Sequence, residues 1–463
     1  MTTARRMMLN QGHSARFASA RHEIYWRETE PVTRGTPLRH DVSCDVCVIG
    51  AGYTGLWTAY FLKAAEPTLD IHIVEADYAG AGASGHNDGF VTPTIGHNLS
   101  TLVRRFGEEE ARLAYAVVGR SILEISRFCH KHSVHADYDT SGYLQVATDK
   151  AQLARLRADL DTAARMGSGT RLELLEGDRL RDTLDSPNIM AAVRGGGALV
   201  NPHRLARGLA RVVREQGVQI HERTPATGFH QQPGGVRVDT PLARLTATKV
   251  VLATNAYQHI SASSRRNIAP VWSYAAVTEP LSDQQLSQVT WPGREGFVEA
   301  KDIIVFGRLT AENRLLIGGG PVRYHYRGDM DVADHIYNPA ATRVLRAALN
   351  RYFPCWHDVQ FSHTYGGCIA MTRHLVPHVG NLGDNVFYGY GYCGNGIALT
   401  HTTGKVLRDL ILGRESTYTN LLFVNQKQPS FPREPLTYLA AKGISAVLSA
   451  RDRIPMPPRK GLL

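Results

Sequence analysis

Apolar positions recur along this 463-residue chain in several distinct rhythms. Near its start they run together. Val46, Val48 and Ile49 belong to an apolar stretch of the kind that forms a strand buried on both faces of a parallel sheet. A glycine turn follows, then a helix from about Thr54 to Ala65, then a short second strand, "IHIVE", ending at Glu75. Farther on, "RLAYAVVGRSILEISRFCHKH" and "DKAQLARLRADLDTAARMG" repeat their apolar residues at the helical period, so residues 101–194 read as mostly helical. By contrast, "VWSYAAVTEPL", "DIIVFGRL" and "RLLIGGGP" alternate, which predicts antiparallel strands across 271–320. Near the end, "NVFY" reads as a strand and "IALTHTTGKVLRDLIL" as a helix reaching about Leu412.

The turn in "VIGAGYTG" carries the first chemistry. Gly50 permits the tight turn, Gly52 lets the backbone approach a pyrophosphate, and Gly55 allows close helix–strand packing. The helix N-terminus, with Tyr53 and Thr54, would face the phosphates. Glu75 stands where a carboxylate meets the ribose hydroxyls, which does not by itself separate NAD from FAD. These features predict an α/β chain (α+β overall), with a Rossmann-type dinucleotide-binding domain and a second domain built on a mixed or antiparallel sheet.

Composition excludes some partners. Hydrophobic residues make up 43% and charged residues 20%, and no apolar run approaches the ~18 residues that span a bilayer. A net charge of +10 would suggest nucleic acid, but residues 1–40 carry +4 and residues 424–463 carry +5, leaving +1 for residues 41–423. No nucleic-acid partner is expected. Residues 1–40 read as a basic tail or arm, and 426–463 as a basic amphipathic tail. In the latter, Leu436, Leu439, Ala440, Ile444, Val447 and Leu448 form an apolar stripe. Docking on the protein's own surface is the first expectation, and weak contact with a membrane surface or a partner is the second. Six cysteines without an apolar leader imply reduced thiols and a cytoplasmic location. Cys44 and Cys47 fall on opposite faces of a strand and read as ordinary packing. "CHKHSVH" has no second ligand group at a zinc-like spacing, so no metal is expected.

Residues 75–90, "EADYAGAGASGHNDGF", resemble the glycine- and serine-rich stretch after the second strand in the D-amino-acid oxidase/glycine oxidase superfamily of FAD enzymes. They are most like its γ-glutamylputrescine oxidase-like branch, which commonly shows "GASGRNGG" here. Further matches follow in order: "ALVNPHRLARGLARVVREQGVQIHERTPATGF", "VVLATNAY", "YGGCIAMTRHLVPHVG" and "NVFYGYGYCGNGIALTHTTGKVLRDLILG". The resemblance spans about residues 23 to 450, and the order of the segments is more specific than any one of them.

What the resemblance implies is one FAD with two ends. Gly389, Gly391 and Gly394 spell a second G-x-G-x-x-G, but no second strand and acid follow it, so it reads as the flavin end of the same nucleotide. By resemblance, FAD would meet Ala76, Gly82, Ala83, Ser84, His86, Asn87, Gly89 and Phe90 after the second strand. It would meet Ala226, Ala253, Thr254 and Asn255 in mid-chain, and Gly391, Cys393, Gly394, Asn395, Gly396 and Ile397 at the far end. His86 replaces the usual Arg. Some members attach FAD through a histidine near this loop and others through a cysteine near "YGGC", which makes His86 and Cys368 covalent-link candidates. Non-covalent FAD is the expectation.

The implied domains are discontinuous, with residues 41–100, 195–268 and 362–425 binding FAD and residues 101–194 and 269–361 binding substrate. The implied reaction is hydride transfer from a carbon next to nitrogen to flavin N5, on an amino acid, secondary amine or polyamine derivative. The imine then hydrolyses, and O2 or a carrier reoxidises the flavin. The alternatives are oxidation of a 2-hydroxy acid, or tRNA modification, on the same fold. Arg308 is expected to clamp a substrate carboxylate, with Tyr274, His325 and Tyr365 as further substrate-orienting candidates.

Overall fold

The structure, a computed structural model, describes residues 20–167, 172–258, 260–261, 265–427 and 429–452. Strand Val42–Ile49 is central to a parallel sheet, with Ile71–Val74 on one side and Arg244–Leu252 on the other. Gln219–His221 and Val386–Tyr390 extend the parallel order outward, and His378–Asn381 adds an antiparallel edge. Cys47, Val48 and Ile49 are buried, as the unbroken apolar run requires. Helix Tyr53–Ala65 packs on this sheet beside helix Gly396–Ile411. A Cβ at Gly404 would come within 2.7 Å of the Trp57 Cβ, so only glycine permits that closeness.

The second sheet runs Phe361–Met371, Ala269–Thr278, Leu315–Tyr324, Val305–Leu309, Gly296–Glu299, Tyr143–Ala147, Ala191–Gly195, Glu173–Leu175. It is antiparallel except where Gly296–Glu299 meets Tyr143–Ala147 in parallel. Three of its strands come from the segment expected to be mostly helical. Helices Leu99–Phe106, Glu108–Lys131 and Lys150–Met166 are there. The strand "YLQVA" between them is buried on both faces and so shows no alternation to read.

The expected N-terminal tail is corrected from residue 20 onward. Ile24, Tyr25 and Trp26 are only 1–2% exposed, and they pack with Ala275, Val277, Leu316 and Tyr365 of the second sheet. The Arg21 N–H donates to the Ser362 carbonyl at 2.8 Å, and the Thr364 N–H donates back to the Arg21 carbonyl. Consecutive large apolar residues here outweigh the basic charge around them. Residues 1–19 of that tail lie outside the described residues.

The C-terminal stripe is also corrected. Helix Leu436–Arg451 does rest on the protein, but through a different face, on which Thr437, Ala441 and Ser445 are the less exposed positions, joined from the expected stripe by Leu448 alone. The Asp452 carboxylate accepts from the backbone N–H groups of Asp302 and Ile303, and Tyr324 donates to Glu434 at 2.6 Å. These polar anchors set the helix's rotation and leave Leu436, Leu439, Ile444 and Val447 exposed. Among the described residues, no helix is long and apolar enough to cross a membrane.

Candidate active site

A cavity of ≈ 2980 Å³ is lined by both sheets. At one end lies the first glycine turn. Gly50 has φ +105°, and a Cβ there would meet the Ala253 carbonyl oxygen at 2.8 Å. Helix Tyr53–Ala65 begins at Gly52 without a side-chain cap and without an acid in its first turn. The Ser84 hydroxyl accepts from the Tyr53 N–H at 2.8 Å, which ties the loop after the second strand to this turn. Glu75 accepts from the Ala51 N–H at 2.8 Å and the Asp77 N–H at 3.0 Å, and it lines the cavity.

The second glycine motif closes the same space. Tyr392 and Thr54 share a hydrogen bond between hydroxyls at 2.7 Å, and the Asn255 side chain accepts from the Gly391 N–H at 3.0 Å. Helix Gly396–Ile411 also starts without a side-chain cap or an acid in its first turn. Two helix N-termini, neither with an acid in its first turn, thus face one cavity, which suits an anionic, two-ended ligand. Of the expected cofactor residues, all line the cavity except Gly55, Gly89 and Gly391, whose contribution is backbone shape.

A family model described as FAD dependent oxidoreductase matches residues 45–410. The chain belongs to that family. It is similar to "Gamma-glutamylputrescine oxidoreductase" of Escherichia coli (strain K12), with 30% identity over 426 residues, 90% of this chain and 95% of the relative. Among solved structures it resembles glycine oxidase from Geobacillus kaustophilus (TM-score 0.69, 18% identity, 84% of this chain and 100% of that one). It also resembles L-proline dehydrogenase from P. horikoshii (TM-score 0.69, 17% identity, 83% and 96%). The structural likenesses concern the fold.

In this FAD-dependent oxidoreductase the substrate candidates separate into two groups. Tyr274 and Tyr365 line the cavity from neighbouring antiparallel strands. Arg308 and His325 do not. The Arg308 side chain is buried, and its Nη1 donates to the carbonyls of Val200 at 2.8 Å and Gly89 at 3.2 Å, while the guanidinium lies 5.7 Å from the Trp26 ring. Its donors hold the protein's own backbone, so the carboxylate clamp is corrected to an internal brace. His325 stacks on His335 at 3.6 Å, away from the cavity lining.

His86 points its Nε2 toward Arg27 Nη2 at 3.3 Å and the Tyr78 hydroxyl at 3.5 Å. Burial, with Arg27 beside it, lowers its pKa to about 3, so the ring is neutral and accepts from the guanidinium. Burial pushes the Cys368 thiol up to about 12, which keeps it protonated. One group at the cavity was missed by sequence reasoning. Asp88 lies inside the recognised loop, at the position where "GASGRNGG" has glycine, and it lines the cavity beside Tyr365. The departure from the motif was the signal.

Proposed function

We propose that this oxidoreductase oxidises the C–N bond of an amine or amino-acid derivative. The reading is carried by a single large cavity that joins an FAD-sized cradle to an aromatic wall, and it is supported by the name of the Escherichia coli relative. Glu75, Gly50, Gly52 and the two helix N-termini would hold FAD. When bound, FAD supplies the acceptor for a hydride from the carbon next to nitrogen. The protein's own residues orient the substrate and exclude water. Burial raises the phenol pKa of Tyr274 and of Tyr365, so both stay protonated and act as walls and hydrogen-bond donors rather than bases. Mixing the holoenzyme anaerobically with a panel of amines and of 2-hydroxy acids tests the reading. Amines should bleach the flavin, and bleaching by hydroxy acids alone would sink the proposal.

The cofactor is held non-covalently in this reading, because the His86 Nε2 is engaged by Arg27 and the Cys368 thiol is protonated. After acid precipitation the yellow colour is expected in the supernatant. Colour retained in the pellet of wild type and released by His86→Ala would show a histidyl link instead.

The exposed stripe Leu436, Leu439, Ile444 and Val447, flanked by Arg433 and Lys442, fits weak contact with an anionic membrane surface. Sedimentation with phosphatidylserine vesicles should carry down wild type, and Leu439→Glu/Val447→Glu should stay in solution. Equal sedimentation of the two would reject the contact.

A further inference from the structure

Among the described residues, several well-covered carboxylates are met by more than one donor. Glu222 accepts from the Ala79 and Gly35 N–H groups and pairs with Arg207 and Arg214. Asp159 accepts from Asn98 and from the Ser100 N–H, and Glu299 pairs with Lys301 and Arg351. Glu75 takes two backbone N–H groups. Such sets are what an ionised group needs away from water.

Asp88 lacks such a set. Its carboxylate has one hydrogen bond, a long one from the Tyr365 hydroxyl at 3.5 Å. The cation that acts on it, Arg308, comes from strand Val305–Leu309 but spends its Nη1 on the carbonyls of Asp88, Gly89 and Val200. The loop's backbone is therefore braced, while the Asp88 carboxylate is left on the cavity wall. The branch motif has glycine at this position, so the loop does not need a side chain there to form. A carboxylate under-supplied with donors in a substrate cavity is complementary to a cation.

Resting on the amine reading above, we propose that Asp88 is the specificity-determining anion that receives the substrate's ammonium group and takes a proton from it. The chemistry requires such a group. An alkylamine reaches the protein as an ammonium ion at neutral pH, since such groups have pKa values of about 10. Loss of hydride from the adjacent carbon needs the nitrogen lone pair. In the step assigned to Asp88 one N–H bond breaks and one O–H bond forms. The electron pair stays on nitrogen, and nothing is oxidised. Burial pushes the Asp88 carboxyl up to about 7, opposed by Arg308 and the Tyr365 hydrogen bond, the two groups that face it from the packed strands. It is thus an anion above that pH and a far better proton acceptor than an ordinary aspartate.

The test uses holoenzyme and two variants, Asp88→Asn and Asp88→Gly, the second restoring the motif residue. The binding probe is tert-butylammonium, which has no hydrogen on the carbon next to nitrogen and cannot be oxidised. Its binding is read from the flavin spectrum. Both variants should keep their FAD and bind the probe at least roughly tenfold more weakly, the scale of a lost charge-assisted contact. Wild type should bind it more tightly as pH rises through about 7, and the variants should lose that dependence. Equal probe binding in wild type and variants overturns the proposal, as does loss of FAD from both variants. The two readings fail separately. A wild type that binds the probe through Asp88 yet oxidises no amine sinks only the reaction. Variants that oxidise amines with the wild-type pH profile sink only the role of Asp88.

Discussion

Gly55→Ala protein is expected to purify with little or no flavin. A Cβ at this position would lie 2.0 Å from the Gly50 carbonyl oxygen and 3.0 Å from a Val48 methyl. Neither the turn nor the buried strand can yield, since Gly50 is itself pressed against Ala253. Helix Tyr53–Ala65 must therefore move off the turn, which takes its first N–H groups away from the phosphates. Overpacking of this kind costs about 3 kcal/mol at the upper end of its usual range, or roughly a hundredfold in the FAD dissociation constant. The ratio of flavin to protein absorbance, followed by titration with added FAD, measures it. Gly196→Ala is the control, because nothing lies within 4 Å of its added Cβ. If Gly55→Ala retains FAD as the control does, the cradle has been placed wrongly.

Arg308→Met should be the second most damaging change, and it should act on stability rather than on substrate affinity. The guanidinium braces the carbonyls of Gly89 and Val200 from a buried position and faces Trp26. Methionine fills much of the same volume but leaves the Val200 carbonyl without this donor and the Gly89 carbonyl with only the Val200 N–H, at a cost of about 2–4 kcal/mol. Thermal unfolding of the holoenzyme should fall by several degrees, with a smaller change in KM. An unchanged unfolding temperature with a large rise in KM would restore the clamp.

The contrast between these residues explains what the sequence could reveal. Gly50, Gly52, Gly55 and Glu75 were legible because each answers a backbone constraint that few other residues satisfy, in a fixed order. The helix expected from about Thr54 to Ala65 is found at Tyr53–Ala65 for the same reason. Arg308 was recognisable as important, yet a long side chain does not declare which way it turns, and here it turns inward. Strand Tyr143–Ala147 escaped because burial on both faces erases the period that marks a strand. The Leu436–Val447 stripe was real, but polar anchors at Glu434 and Asp452 set the helix's rotation, and these act across the tertiary structure. Asp88 was visible all along as a departure from a quoted motif. Its meaning needed the cavity.

The burial of Ile24, Tyr25 and Trp26 has a consequence for how the protein is made. His22 bonds to Thr364, 342 residues later, and Tyr25 to Glu312. On the ribosome, Ile24, Tyr25 and Trp26 emerge long before their partners Ala275, Val277 and Leu316, and their seat is complete only once Tyr365 of strand Phe361–Met371 exists. At typical elongation speeds that interval is roughly 20–70 s. Through it, three large apolar side chains lack their complete cover, a ready target for a holding chaperone. The first described residues of the molecule are thus among the last to find their place.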